Sequence, residues 1–398
     1  MSNSILTPTM VTREALRVLH QKLNFIGTIT RDYDDSYAQS GAKIGDTLKI
    51  RLPNQYTVRS GANLSTQDTT ESSVSLQIAN QKGVDVTFSS TELTLSLDDF
   101  SQRIIEPAMS VLAANVEADA MSMYKDVANS VWNGGSALTL AKVLNGRKIL
   151  QSALAPLNAR TANLNSQDNV DMVTDTKGLF QDSTAIAEQY REGYMGRTAG
   201  FDFMENTLWP SFTTGAGNSS YVVDTSAGIT SGSTTIAVTA GTGSLPKGTT
   251  FTIVGVNRVH PETKNDTGLL YQFVVAADYT GGAGNVTVAT APVTSGATQN
   301  VVINSAGSGK AVVINQGATA STAVGTSLLY QSGAFGFATA DLQMPDGVDF
   351  AAREVMDGLS LRIVRQYAIS TDTFPCRIDI LYGYKTLRQQ LACRLHNN

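Results

Sequence analysis

The chain has 398 residues, a formal net charge of −5 and only 16% charged residues, enough length for two or three domains with buried cores. An acidic balance with no basic run or stripe argues against a protein whose main work is gripping a phosphate backbone, and favours protein partners. Met1 to Pro8 has neither the basic flank nor the apolar core of a signal peptide, and no later apolar run is long enough to span a bilayer, so a cytosolic chain without a membrane partner is expected.

Taken in order, Thr12 is placed to cap a short helix running through Phe25, with Leu16, Leu19 and Leu23 on one apolar stripe and Glu14 in the first turn. This reads as an arm that docks elsewhere. Leu48, Ile50 and Leu52 then alternate with polar residues, as do Val74, Leu76 and Ile78 across a long polar tip, Asn54 to Ser73. A structureless tip of that length reads as a projecting hairpin, with Arg59 its candidate contact residue; a plain surface loop is the alternative. A strand at Val84 to Phe88 precedes a helical stretch opened by Ser96, Asp98 and Asp99, whose apolar period persists from Phe100 to Val131. From Pro107 to Trp132 a continuous helix would measure roughly 39 Å.

A helix at Leu138 to Leu154, a buried strand at Val170 to Val173 and a helix at Ser183 to Tyr190 are expected next. The pattern then breaks. From Pro210 to Ala334 the chain is poor in charge and rich in Gly, Ser, Thr and Val, with β-rich runs at Thr234–Val238, Phe251–Val254, Gln272–Val275 and Ala311–Ile314 between turn residues. This reads as a small antiparallel barrel or sandwich inserted into an α+β host, which resumes with strands at Leu359 to Tyr367 and Arg377 to Tyr382.

Chemistry-bearing constellations are missing from the sequence. His20, His260 and His396 have no second ligand at metal spacing. Gly307-Ser308-Gly309-Lys310 resembles a phosphate loop, but Asn304 stands where the first glycine belongs and Ala311 where a Ser or Thr would hold a metal. Asp32, Asp34 and Ser36 open like a calcium loop that Tyr37 and Lys43 then break. Cys376 and Cys393 read as small buried apolar groups. No cofactor, metal or catalytic residue is therefore expected. Within the inserted tract, Arg258, Glu262, Lys264 and Asp266 interleave both signs, which suits reciprocal ion pairs with a second copy across a twofold axis; a solvated hairpin loop is the alternative.

Several segments together resemble the major coat proteins of P-22-like short-tailed phages, which carry the Hong Kong 97 capsid fold with an added insertion domain. They are Met10–Leu16, Gly41–Pro53, Leu95–Phe100, Tyr190–Gly193, Ala199–Asp202, Ala334–Ala338, Leu342–Pro345 and Cys376–Tyr384, and they span essentially the whole chain. The resemblance implies an N-terminal arm at 1–35, an extended E-loop hairpin at 36–96, a spine helix and P-domain at 97–135, and a first A-domain part at 136–209. A β-barrel insertion at 210–334 and a return through the A- and P-domains at 335–398 complete it. It also implies pentamers and hexamers tiling an icosahedral head that holds double-stranded DNA without sequence-specific binding. A scaffolding protein meeting the arm through Glu14 and the Leu16, Leu19 and Leu23 stripe, a portal protein at one vertex, and assembly in the bacterial cytoplasm follow from the same resemblance. Rival readings are a phage tail or decoration protein, which would share the Thr- and Gly-rich β insert, and a hydrolase carrying a carbohydrate-binding insert.

Overall fold

The computed structural model describes residues 8–34, 47–59, 61–64, 66–67, 71–89, 104–176, 196–216, 221–304, 309–315, 320–371 and 373–397. The expected helix at Ser183 to Tyr190, the helix start at Ser96 to Phe100 and the near-miss calcium loop beyond Asp34 lie outside these residues. The chain divides into two compact units, one of residues 1–51, 73–122 and 335–387, the other of residues 52–72, 123–334 and 388–398.

The first unit is organised by the long strand Thr373–Thr386, which pairs antiparallel with Phe335–Ala340, Leu359–Arg365 and Asn80–Ser89. Phe350–Met356 extends the sheet beyond Leu359–Arg365, and Thr30–Asp34 runs parallel to Phe335–Ala340. Phe335–Ala340 is buried along its whole length, consistent with a strand covered on both faces rather than an alternating one. The predicted hairpin forms as read: Thr47–Arg51 pairs with Ser73–Gln77, placing Leu48 opposite Leu76 and Ile50 opposite Val74. Its apolar face packs with Ile78, Ala338, Ala340 and Leu381. At Gly383 a Cβ would stand 2.2 Å from the Gln77 carbonyl oxygen, so hairpin and sheet approach as only glycine permits.

Two helical expectations are corrected here. The first helix runs Pro8–Lys22, with Thr12 buried inside it and not at its cap, and Pro8 supplies the start because a missing N–H costs nothing there. The long helix is Glu106–Met121, about 24 Å at 1.5 Å per residue. It buries Ala108 and Met109, Leu112 and Ala113, Val116 and Glu117, Ala120 and Met121, two adjacent columns one turn apart. Beyond it the chain tightens into a 3-10 turn, Ser122–Asp126, and becomes a strand at Ser130–Trp132, so the apolar residues Tyr124, Val127 and Val131 serve the second unit.

The second unit holds a seven-stranded mixed sheet in the order Ser130–Trp132, Ala392–Asn397, Ala323–Gln331, Arg160–Leu164, Phe201–Glu205, Arg197–Thr198, with Phe212–Thr213 paired to Ala323–Gln331. Helix Leu140–Ser152 lies close on this sheet: a Cβ at Gly146 would meet the Leu329 side chain at 2.5 Å. Val170 to Val173, expected as a strand, falls inside helix Ser166–Thr176. Asn165 caps that helix, its Oδ1 accepting from Asp168 N at 2.7 Å, and the strand in this region is the earlier Arg160–Leu164.

The inserted tract contains a three-stranded sheet, Val222–Val223, Thr235–Ala240 and Gly284–Thr287, and a four-stranded one in which Thr250–Val259 pairs with Asp266–Val274, Val301–Ile303 and Val312–Ile314. The predicted run Phe251–Val254 lies within one of these strands, and the other three fall on strands except for one end residue each, Thr234, Val275 and Ala311. One core joins the sheets, drawn from Tyr221, Ile236, Phe251, Ile253, Phe273, Val286, Val301 and their neighbours. Phe212–Thr213 and Ala323–Val324 form an antiparallel stem, and the rest of Ala323–Gln331 runs inside the seven-stranded sheet. Leu328, Leu329 and Tyr330 are as apolar as the insert, and composition could not separate them.

Candidate assembly surfaces

The arm is held by its own unit. Leu16, Leu19 and Leu23 are buried there together with Ala15 and Val18, which corrects the reading of this stripe as free to dock on a partner. Glu117, buried on the long helix, accepts hydrogen bonds from Asn24 N at 2.8 Å and Phe25 N at 2.9 Å, satisfying the first amides of the short helix Phe25–Thr28. Phe25 packs against Phe335 with ring centroids 5.6 Å apart. Asp357 closes the arm from the other side: His20 Nε2 lies 2.8 Å from its Oδ2, and Arg31 Nη2 donates to the same oxygen at 2.7 Å. Hydrogen bonds from His20 and Arg31 lower the Asp357 pKa. What remains outward on the arm is the polar face, where Glu14 pairs with Arg17 and Arg17 reaches Gln21 at 3.1 Å.

Arg59 is exposed in the hairpin tip and folds back on it, donating to the carbonyls of Gly61 and Asn63. Gln67 bridges the tip by accepting from Thr57 N at 2.9 Å. Val58 and Leu64 stand 94% and 84% exposed, so these two apolar side chains of the tip are not packed into a core.

Arg258, Glu262, Lys264 and Asp266 come together on one hairpin, whose turn closes through His260 N to Asn265 O at 2.9 Å. His260 Nδ1 accepts from the amides of Glu262 and Thr263, and Lys264 takes a left-handed φ of 59°. The four differ in how free they are. Glu262 is exposed. Lys264 is half-buried and reaches Gln299 O at 3.4 Å. Asp266 accepts from Asn304, Asn257 and Gly268 N, bonds that hold its carboxyl below the usual range. Arg258 is half-buried at the hairpin base, where burial lowers its pKa and the neighbouring Tyr271 opposes the shift.

The contacts that sequence reasoning missed are long-range polar ones made by Glu117, which is buried, Gln272, which is half-buried, and Asp357, which is exposed. Gln272, in the insertion, accepts from Ser130 N at 2.8 Å and donates to Ser130 O at 2.9 Å, so its amide pairs with an edge strand of the seven-stranded sheet as another strand would. Ser130 Oγ lies 3.0 Å from Thr250 Oγ1, and Lys247 Nζ pairs with Asp126 at 3.4 Å. Only the pairing of a buried carboxylate with an unsatisfied helix start could have pointed to Glu117 in advance. Among the described residues, no cluster of three His, Cys, Asp or Glu side chains could hold a metal ion, and no helix is long and apolar enough to cross a membrane.

The family model described as P22 coat protein, gene protein 5, matches residues 7–393. The chain belongs to this family. It is a phage major capsid protein, a subunit of an icosahedral shell, and its role is structural. No curated protein matches the chain. Among solved structures it is similar to a chain from Mycobacterium phage Che8, with 11% identity over 94% of this chain and 90% of that one and a TM-score of 0.46. A chain from the mature capsid of bacteriophage PhiM1 shows 10% identity over 94% and 87%, with a TM-score of 0.44. A chain from the capsid of an empty GTA particle shows 9% identity over 100% and 94%, also with a TM-score of 0.44.

Proposed function

We propose that this coat protein closes into pentamers and hexamers that tile a head around double-stranded DNA, assembled in the bacterial cytoplasm with a scaffolding protein and with a portal protein at one vertex. The observation that carries the reading is a family match running almost from end to end of the chain. Several modest contacts per subunit, made by arm, hairpin and insertion, sum to a stable shell by multivalency. The scaffold would meet the arm's polar face at Glu14 and Arg17, since the apolar stripe is already covered. The insertion acts as a small β-barrel, a reading supported by the single core between its two sheets.

Its charged hairpin makes the twofold contact, with Lys264 of one copy against Glu262 of the next, Asp266 bracing the turn and Arg258 its base. Arg59 holds the shape of the hairpin tip that reaches a neighbouring subunit. Electron microscopy of shells formed from purified protein and scaffold tests both levels. Lys264→Glu should cut shell yield several-fold while the monomer stays folded, and adding Glu262→Lys should restore it, because swapping both signs keeps an isologous contact complementary. A double swap that fails to rescue would refute the loop contact. A subunit that stays monomeric at high concentration with every assembly partner present would refute the reading as a whole.

A further inference from the structure

The seven-stranded sheet carries a buried cation that no hydrogen bond satisfies. Arg394 sits at the centre of strand Ala392–Asn397 with 0% of its surface exposed, and its Nε, Nη1 and Nη2 all lack a hydrogen-bond partner. The register places Ser130, Arg394, Leu328 and Asn163 in one row across four adjacent strands, so their side chains leave the same face. Tyr124 and Asn163 are likewise 0% exposed, and Tyr124 Oη and Asn163 Nδ2 also lack partners. The Asn163 orientation is fixed, since its Oδ1 accepts from Trp209 Nε1 at 2.6 Å and leaves the amide nitrogen as the free group. Trp209 in turn meets Tyr124 edge-on, with ring centroids 6.0 Å apart, and the Arg394 guanidinium carbon lies 6.0 Å from the Tyr124 ring centre.

The free polar groups of this cluster are thus donors: a guanidinium, an amide N–H pair and a phenol O–H. A lone charge in such surroundings costs several kcal/mol unless it is compensated. Losing its proton does not relieve it, because burial lowers the arginine only to about 10 and it stays cationic near neutrality. Asp126 is the carboxylate whose field reaches it, but Asp126 pairs with Lys247 at 3.4 Å and keeps a third of its side chain exposed. His396 on the same strand is held neutral by burial and by Arg394 itself, so it adds no compensating charge.

We propose that Arg394, Tyr124 and Asn163 form an internal binding site for one small monovalent anion of the chloride class, enclosed when this unit folds. One negative charge answers one guanidinium, and full enclosure favours a halide-sized ion over a phosphate or an organic acid. The inference is independent of how the shell assembles.

Urea unfolding of the unassembled full-length subunit, with sodium chloride exchanged for sodium gluconate at fixed ionic strength, tests it. Above the dissociation constant, each tenfold rise in chloride should raise the folded-to-unfolded ratio up to about tenfold. Arg394→Met should abolish that dependence. Should Arg394→Met not fold, Tyr124→Phe removes one donor while keeping the ring, and should shift the dependence to several-fold higher chloride. Bromide in place of chloride should give an anomalous peak between Arg394 and Tyr124. The site is refuted by wild-type stability indifferent to chloride or by the same dependence in Arg394→Met. It is equally refuted by an experimental structure in which the guanidinium bonds only to water or to Asp126.

Discussion

Glu117→Gln tests how the arm is held. The substitution keeps the side-chain volume, so no cavity opens, but it removes the charge and turns one of two acceptors into a donor facing a backbone N–H. Glu117 currently receives Asn24 N at 2.8 Å and Phe25 N at 2.9 Å. Hydrogen bonds to a charged group contribute roughly 1.5–3 kcal/mol each. Asn24 is exposed and can turn its amide to water, whereas Phe25 is buried and cannot. The loss should therefore fall near 3 kcal/mol, the upper end for one bond, rather than the sum of two.

That energy acts locally, because Glu117 ties the arm to one helix and takes no part in the insertion core. Converted at 1.4 kcal/mol per decade, it is about a 100-fold rise in the undocked arm population. Hydrogen exchange read by mass spectrometry gives the answer directly. Peptides covering residues 13–28 should exchange about 100-fold faster, and those covering residues 249–256 of the insertion should not change. Unaltered arm exchange, or equal acceleration in the insertion, would show that Glu117 is not the clasp described.

Three further expectations follow from buried groups. Gly383→Ala drives a methyl group into the Gln77 carbonyl, a backbone atom that cannot yield, and should lower the urea midpoint by the equivalent of about 1–3 kcal/mol. Burial pushes the thiols of Cys376 and Cys393 up to about 12, so neither should react with a thiol reagent until urea unfolds the chain. Burial also raises Asp168 above its ordinary 3.8, against hydrogen bonds from Ser327, Asn397 and Asn165. The folded state then holds that proton more tightly than the unfolded one, so its contribution is greatest below pH 3.8 and is lost as pH rises through the folded value. Asp168→Asn should remove this fall from the stability profile measured by urea unfolding across acid pH, and an unchanged profile would contradict the assignment.

Elements whose side chains alternate or cluster by type could be read from the sequence. The hairpin was visible because Leu48, Ile50, Val74 and Leu76 share one face, and the insertion strands because Gly and Asn clusters bracket runs such as Phe251 to Val254. The strands that stayed hidden are central ones with polar sequences. Arg160–Leu164 is buried at every position, yet it contains Arg, Thr and Asn; Arg160 is tolerated because it donates to the carbonyls of Pro156 and Ala155. Ala392–Asn397, with Arg394 and His396, is equally buried and equally unlike a core strand. Asn165 and Asp168, three residues apart, carried the signal of a helix start that the apolar pair Val170 and Val173 obscured. Of the candidate contacts, the charged hairpin was legible as a local cluster, whereas Glu117 and Asp357 join residues 92 and 326 positions away and leave no trace in local pattern.

The insertion does more than decorate the sheet it interrupts. Ser130–Trp132 is an edge strand, and an open edge in a protein that must associate only through chosen surfaces invites pairing with the wrong chain. Gln272 occupies the N–H and C=O of Ser130 together, Thr250 takes its hydroxyl, and Lys247 pairs with Asp126 on the turn just before the strand. The stem of Phe212–Thr213 and Ala323–Val324 delivers these residues from the middle of the same sheet. A tract with its own core thus also closes an edge that would otherwise compete with the contacts a shell requires. Among the described residues the tract is tied to this strand by the polar contacts of Gln272 and Thr250, with Lys247 reaching Asp126 beside it, while its apolar core is drawn from its own residues.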